Sequence, residues 1–203
     1  MTQLWLIRHG ETDWNSEGRW QGQAESAPSL NKKGRAQSHA TAKQLASEKF
    51  TAIYSSDLLR ARETAEIISR RLNLPIQFDL RLREINQGKW EGMLGSDIAA
   101  QYPLEWADRE RDPLHARSPD GESAIEVATR VWAAADTIAT LYPMGNVIIV
   151  SHGFALATIL CKARGLPLER AFDLIPDNAC IEIVAWDFLS TKHGREFMER
   201  REM

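Results

Sequence analysis

A chain of 203 residues that is 43% hydrophobic and 26% charged has the make-up of one ordinary folded domain with a sizeable core. Its net charge of −3 excludes a non-specific grip on nucleic acid, which needs an excess of clustered cations. The first apolar run, Leu4-Trp5-Leu6-Ile7, stops at Arg8, too short for a leader or a membrane span, and Cys161 and Cys180 are too few for a disulfide framework and lack metal-ligand spacing. A cytoplasmic protein with two buried free thiols and no membrane or nucleic-acid partner is expected.

Taken in chain order, short β-rich runs alternate with longer helical patterns, which predicts an α/β domain with a mostly parallel sheet. Strands are predicted at 3–8, 51–55, 75–79, 146–151 and 180–187. Asn31 is set to cap a helix running to about Lys49, in which Gly34 is a mild blemish. Asp57 is set to cap the next, where Leu58, Ala61, Ala65, Ile68 and Leu72 recur on one face. Gly121-Glu122-Ser123 introduces a third, striped by Ile125, Ala128, Trp132, Ala135 and Ala139 up to Pro143. A fourth runs from Phe154 to Arg164 and ends at Gly165. The segment 89–120 carries only a short helical pattern, Ser96 to Tyr102, and is expected to be a lid or insertion over the active site of a single domain spanning 1–203.

Three of the predicted strands end in the same kind of chemistry: Arg8-His9-Gly10-Glu11-Thr12, then Ser55-Ser56-Asp57 followed by Arg60 and Arg62, then Ser151-His152-Gly153. Ligands of open α/β sheets bind outside the carboxyl ends of strands, where helix N-termini also aim their free N–H groups. Guanidiniums fork onto phosphate oxygens, and an imidazole near neutrality can act as nucleophile, base or donor. Such a pocket suits a phosphoryl group, whose transfer depends on positioning and charge neutralisation. No acidic cluster or HExxH spacing points to a metal, and arginines could supply that charge.

In order along the chain, Arg8-His9-Gly10-Glu11-Thr12 with Trp14-Asn15, Ser55 to Ala65, Leu82-Arg83-Glu84 with Gly88 and Trp90-Glu91-Gly92, Gly121-Glu122-Ser123 and Ser151-His152-Gly153 resemble the motifs of the histidine phosphatase superfamily, the phosphoglycerate mutase-like group. The resemblance implies a three-layer α/β/α fold and a phosphohistidine formed on His9. It implies that Arg8, Arg60 and His152 hold the transferring group, and that Glu84 protonates the leaving oxygen and then activates water. Arg8, Asn15, Gln21, Gly22, Arg60, Glu84, His152 and Gly153 are the implied substrate-binding set, with no metal and no cofactor. One stretch departs from the pattern: Ala24 to Leu30 lacks the Asp-x-Pro-Leu that the family often shows.

The implied activity is hydrolysis of small phosphate monoesters, since the chain is short and has Gly88-Lys89-Trp90-Glu91-Gly92 after the acid, as the phosphatase branch does. The alternative is a cofactor-dependent phosphoglycerate mutase. A scaffold that has lost catalysis would lack one of the five catalytic positions, and a zinc hydrolase built on the two histidines and Glu84 has no metal-ligand spacing to support it. The remaining residues read as structural. His39, His115 and His193 lie in polar surroundings, with His115 the one nearest to lining the mouth. Arg62 should pair with a surface acid, Glu63 and Glu91 should be solvated, and Trp14, Trp20 and Trp90 should pack more than they line a rim. The run 105–112, with Arg109 and Arg111, and Arg117 beyond it, should form a solvated, self-paired face rather than grip a second anion. A homodimer through an edge strand remains open.

Overall fold

The computed structural model describes residues 1–187. Strand β1 (Thr2–Arg8) carries apolar residues on both faces, as a strand between two helical layers must. Leu4 and Leu6 point into one core and Ile7 into the other, while Val147 and Ile149 of β4 (Asn146–Ser151) oppose its Ile148 and Val150 in the same way. With β2 (Ala52–Ser55), β3 (Ile76–Phe78) and β5 (Ile181–Trp186), these strands form a five-stranded sheet in the order β3-β2-β4-β1-β5. All pairings are parallel except β1 with β5.

Helices α2 (Lys32–Leu45) and α3 (Leu59–Leu72) pack together over one face. Ala42, Leu45, Ala61, Ala65 and Ile68 close that core. Helices α6 (Ala124–Leu141) and α7 (Gly153–Ala163) cover the other through Val127, Val131, Ile138, Leu156 and Ile159. Each fully buried Leu or Ile contributes about 1.5–3 kcal/mol. This is the three-layer α/β/α arrangement with a mostly parallel sheet. Crossovers run one way over α2 and α3 and the other way over α6 and α7, so the direction reverses between β1 and β4 and opens a crevice at their carboxyl ends.

Several expected boundaries shift. Helix α2 ends at Leu45, not near Lys49, because Ala46 closes it and the chain turns toward β2. Asp57 does not cap α3: the N-cap position is Leu58 without a side-chain bond, and Asp57 is instead engaged by Arg83. Helix α4 (Gly95–Gln101) matches the short pattern, but α5 (Pro103–Arg111) follows it at once, started by Pro103 and with little apolar periodicity to reveal it. A one-turn helix, α1 (Asp13–Glu17), lies inside the first motif, closed by a capping box between Thr12 and Asn15. Cys161 is buried, whereas Cys180 is only half-buried. None of the helices among the described residues is long and apolar enough to cross a membrane.

Gly34 is a packing requirement rather than a blemish. A Cβ there would stand 2.0 Å from the Glu11 carbonyl oxygen, and one on Gly10 would stand 2.4 Å from the Gly34 oxygen. Two bare backbones thus bring α2 against the turn after β1. Gly34→Ala should therefore destabilise the fold by about 1–3 kcal/mol through overpacking, despite the gain of about 1 kcal/mol in helix propensity. Urea unfolding reads the difference, and an unchanged or raised midpoint would refute the close approach.

Candidate active site

The register of β1 with β4 pairs Arg8 with Ser151, so the next residues on the two strands, His9 and His152, emerge side by side. Their ring centroids are 5.2 Å apart and both side chains are buried. His9 Nδ1 lies 2.8 Å from the Gly10 carbonyl oxygen. A carbonyl can only accept, so that nitrogen carries the proton and Nε2 holds the free lone pair. Arg60, on the first turn of α3 and only 2% exposed, donates from Nε to His9 Nε2 at 3.2 Å and from a terminal nitrogen to the Gly22 carbonyl at 2.8 Å. The turn itself is pinned by Gly10 N–H donating to Thr64 and by Asn178 donating to the His9 carbonyl.

Burial first, then the Arg60 and Arg8 charges, hold the His9 imidazole well below its ordinary protonation range. His152 is depressed in the same way, by burial and then by Arg60. Arg60 itself is pushed down to about 10 by burial, against the opposing fields of Glu84 and Glu91. Arg8 reaches across the start of α7, where a Cβ on Gly153 would come within 3.4 Å of its guanidinium, and donates to the Pro176 carbonyl at 2.8 Å. His152 Nε2 meets the Ser56 hydroxyl at 2.8 Å. Arg8 Nε and His152 Nδ1 are buried with no hydrogen-bond partner. Leaving such groups unpaired costs about 1–3 kcal/mol each, so they fit an acceptor-rich anion.

Glu84 faces this cluster from the loop after β3. Its carboxylate accepts N–H bonds from Ile85 at 2.9 Å, Phe154 at 3.1 Å and Ala155 at 3.2 Å, the last two at the start of α7. Arg130, in mid-α6, anchors the loop by donating to the carbonyls of Arg81, Arg83 and Glu84 and to both oxygens of Glu122. Asn15 spends its side-chain oxygen on Thr12 and Asn178, which leaves the amide nitrogen for an anion. Gln21 receives the Thr12 hydroxyl at 3.0 Å.

Arg8, His9, Asn15, Gln21, Gly22, Arg60, Glu84 and Gly153 line a cavity of about 360 Å³. His152 lies behind that wall, against His9. Among the described residues no set of three His, Cys, Asp or Glu side chains comes together as metal ligands. Trp20, Trp90, Arg109, Ser118, Phe154 and Phe172 form the outer walls. His39 and His115 are exposed, His115 being taken up by Asp112, and His193 lies outside the described residues.

Four readings of the sequence need correcting. Arg62 lies over the Phe78 ring, 5.2 Å from its centroid, rather than forming an ion pair of its own. Glu63 and Glu91 are not merely solvated: Glu63 accepts from the Leu30 N–H, and Glu91 from those of Gln23 and Gln87. Arg109 leaves the solvated face for the cavity, although Arg111 and Arg117 do pair with acids, Asp108 and Glu126. Trp20 and Trp90 both pack and line the cavity. Arg130, Asn178 and Gln23 were missed, and their one signal was a lone cation inside the Ala-rich α6.

The profile of the histidine phosphatase superfamily (branch 1) matches residues 4–192. The chain belongs to this superfamily. The Shigella boydii serotype 18 protein named "Probable phosphoglycerate mutase GpmB" is 38% identical over 184 residues, 91% of this chain and 85% of that protein. Among solved structures, the alpha-ribazole phosphatase of Shigella flexneri superposes with a TM-score of 0.83 at 27% identity, covering 91% of this chain and 91% of that one. A mycobacterial glucosyl-3-phosphoglycerate phosphatase in complex with VO3 gives 0.80 at 32% identity, over 93% of this chain and 94% of that one.

The buried histidines have a consequence for stability. Because the folded protein keeps both imidazoles neutral below their ordinary range, the unfolded chain takes up the protons first as pH falls. Their contribution is intact above about pH 6.5 and declines below it, by up to about 1.4 kcal/mol per pH unit for each histidine until the folded state is itself protonated. Urea unfolding at about pH 7.5 and about pH 5.5 should show that loss, and His152→Asn should make it less steep. An equally steep loss in that variant would mean His152 is not held neutral.

Proposed function

We propose that this protein hydrolyses small phosphate monoesters through a phosphohistidine on His9. The observation that carries the reading is the convergence of Arg8, Arg60, His152 and a neutral His9 on one buried point where donors stand without acceptors. His9 Nε2 attacks phosphorus and forms the N–P bond as the ester P–O bond breaks. Glu84, which must enter the cycle as the protonated acid regenerated by the water step that follows, gives its proton to the departing alkoxide. The same carboxylate then takes a proton from water, whose oxygen attacks phosphorus and releases phosphate and the neutral imidazole. Arg8 and Arg60 neutralise the phosphoryl oxygens as charge shifts, and neutral His152 adds a hydrogen bond, which is where such sites gain most of their rate.

A second reading, transfer to a phosphoglycerate, is favoured by the relatives named phosphoglycerate mutase. What weighs against it is the bulky aromatic outer wall, where Trp20, Trp90, Phe154 and Phe172 stand beside Arg19 and Arg109 and leave room for a body larger than phosphoglycerate.

His9→Ala should abolish both phosphate release and acid-labile phosphoenzyme, with folding preserved. Normal phosphate release by that variant would end the proposal. Rapid-quench single turnover should show a short-lived phosphoenzyme in the unmodified protein. Glu84→Gln should slow formation by about 10²–10⁴-fold on alkyl esters but far less on para-nitrophenyl phosphate, whose leaving group needs no proton. A long-lived phosphoenzyme discharged by phosphoglycerate rather than water would establish the mutase.

A further inference from the structure

Away from His9 the cavity changes character. Its outer end is built from rings: Trp20 and Trp90 lie 5.7 Å apart, Trp106 stands 6.0 Å from Trp20, and Phe154 stacks on Phe172 at 4.9 Å. Among them sits the Arg109 guanidinium, 4.5 Å from the Trp20 centroid, 5.6 Å from that of Phe172 and 5.8 Å from that of Trp106. Ring contacts occupy the face of a guanidinium and leave its five N–H bonds, which lie in the plane, free to donate.

No acceptor among the described residues takes those N–H bonds. The neighbouring cations are all engaged: Arg19 by Glu17 and the Gly92 carbonyl, Arg111 by Asp108, Arg117 by Glu126. Glu122, the other carboxylate on the wall besides Glu84, is held by Arg130 and by the Asn86 N–H. Glu110 accepts from Trp106 and faces outward. Burial lowers the Arg109 pKa, and the Glu110 charge opposes that only in part, without accepting a hydrogen bond from it. Two further cavity-lining groups, Trp90 Nε1 and the Ser118 hydroxyl, are buried without a partner. This end of the pocket thus holds a guanidinium with no hydrogen-bond acceptor between aromatic faces, with two unpaired polar atoms buried in the side chains of its wall.

Between Arg109 and the phosphate site stand Phe172 and then Phe154, whose N–H holds Glu84. The Phe172–Phe154 pair thus separates an anion at Arg109 from the Glu84 end of the cavity. We propose that Arg109, with Trp90 and Ser118, forms a carboxylate subsite, and that the substrate is a phosphate monoester whose flat or cyclic body carries a carboxylate at its far end. The subsite rests on the reading that phosphate binds at His9, and not on whether that phosphate then passes to water or to an alcohol.

Calorimetric titration of the His9→Ala protein, which cannot turn over, reads the subsite directly. The probes are 4-carboxyphenyl phosphate and its neutral isostere 4-carbamoylphenyl phosphate, with inorganic phosphate as control. The carboxylate should bind at least about tenfold tighter than the amide, about 1.4 kcal/mol. Adding Arg109→Met should erase that preference while phosphate affinity stays within about twofold, and Arg109→Lys should keep part of it. Equal binding of the two esters, or a preference that survives Arg109→Met, overturns the proposal. Loss of phosphate binding in both Arg109 variants overturns it too, since Arg109 would then serve packing alone. Phosphate release by the unmodified protein is measured separately, so failure of the hydrolase reading leaves the subsite result standing.

Discussion

A guanidinium buried at 2% exposure, touching an imidazole rather than a carboxylate, is the constraint around which this site is arranged. Burying a charge without a direct counter-ion is costly, and the surroundings must share the load. The Gly22 carbonyl caps one terminal nitrogen, while Glu84 and Glu91 supply negative field from further off. Burial and then the same charge keep His9 and His152 neutral, so Arg60 both prepares a place for an anion and helps preserve the lone pair that would attack it.

That arrangement holds only if the turns are rigid. The turn after β1 is fixed by bare backbone contact at Gly10 and Gly34, by Thr64 from α3 and by Asn178 from the loop before β5. The loop bearing Glu84 is fixed by Arg130, which satisfies three carbonyls and a carboxylate at once. Thr64, Arg130 and Asn178 do not line the cavity. They orient those that do, a condition for transfer chemistry that depends on positioning.

The inner and outer parts of the cavity answer to different demands. The inner part is dense with donors contributed by strand ends and the first turns of α3 and α7, the elements that also make the core. The outer part comes from Trp20 and from 89–120, where α5 turns Arg109 inward onto aromatic faces. This second part is free to differ without disturbing the sheet.

Short apolar runs and period-3.6 patterns made the α/β class, the parallel core strands and the long helices legible, because strands buried on both faces read as continuous apolar runs and one-sided helices leave a periodic trace. The ordered motifs likewise marked Arg8, His9, Arg60, Glu84 and His152, and the register of β1 with β4 brings the two histidines together. The sequence could not reveal which way a side chain turns when its neighbours lie far off in the chain. Asp57 looked like a cap and became a partner of Arg83; Glu91 looked solvated and anchors two backbone amides; Arg109 looked self-paired and faces the cavity. Arg130 carried only the faint signal of a lone cation inside the Ala-rich α6 and Asn178 none, since, apart from Glu122 eight positions from Arg130, their partners lie 46 or more positions away. Local patterns report the solvent boundary of an element, whereas the pairing of polar groups is settled by which backbones the tertiary fold brings within about 3 Å of one another.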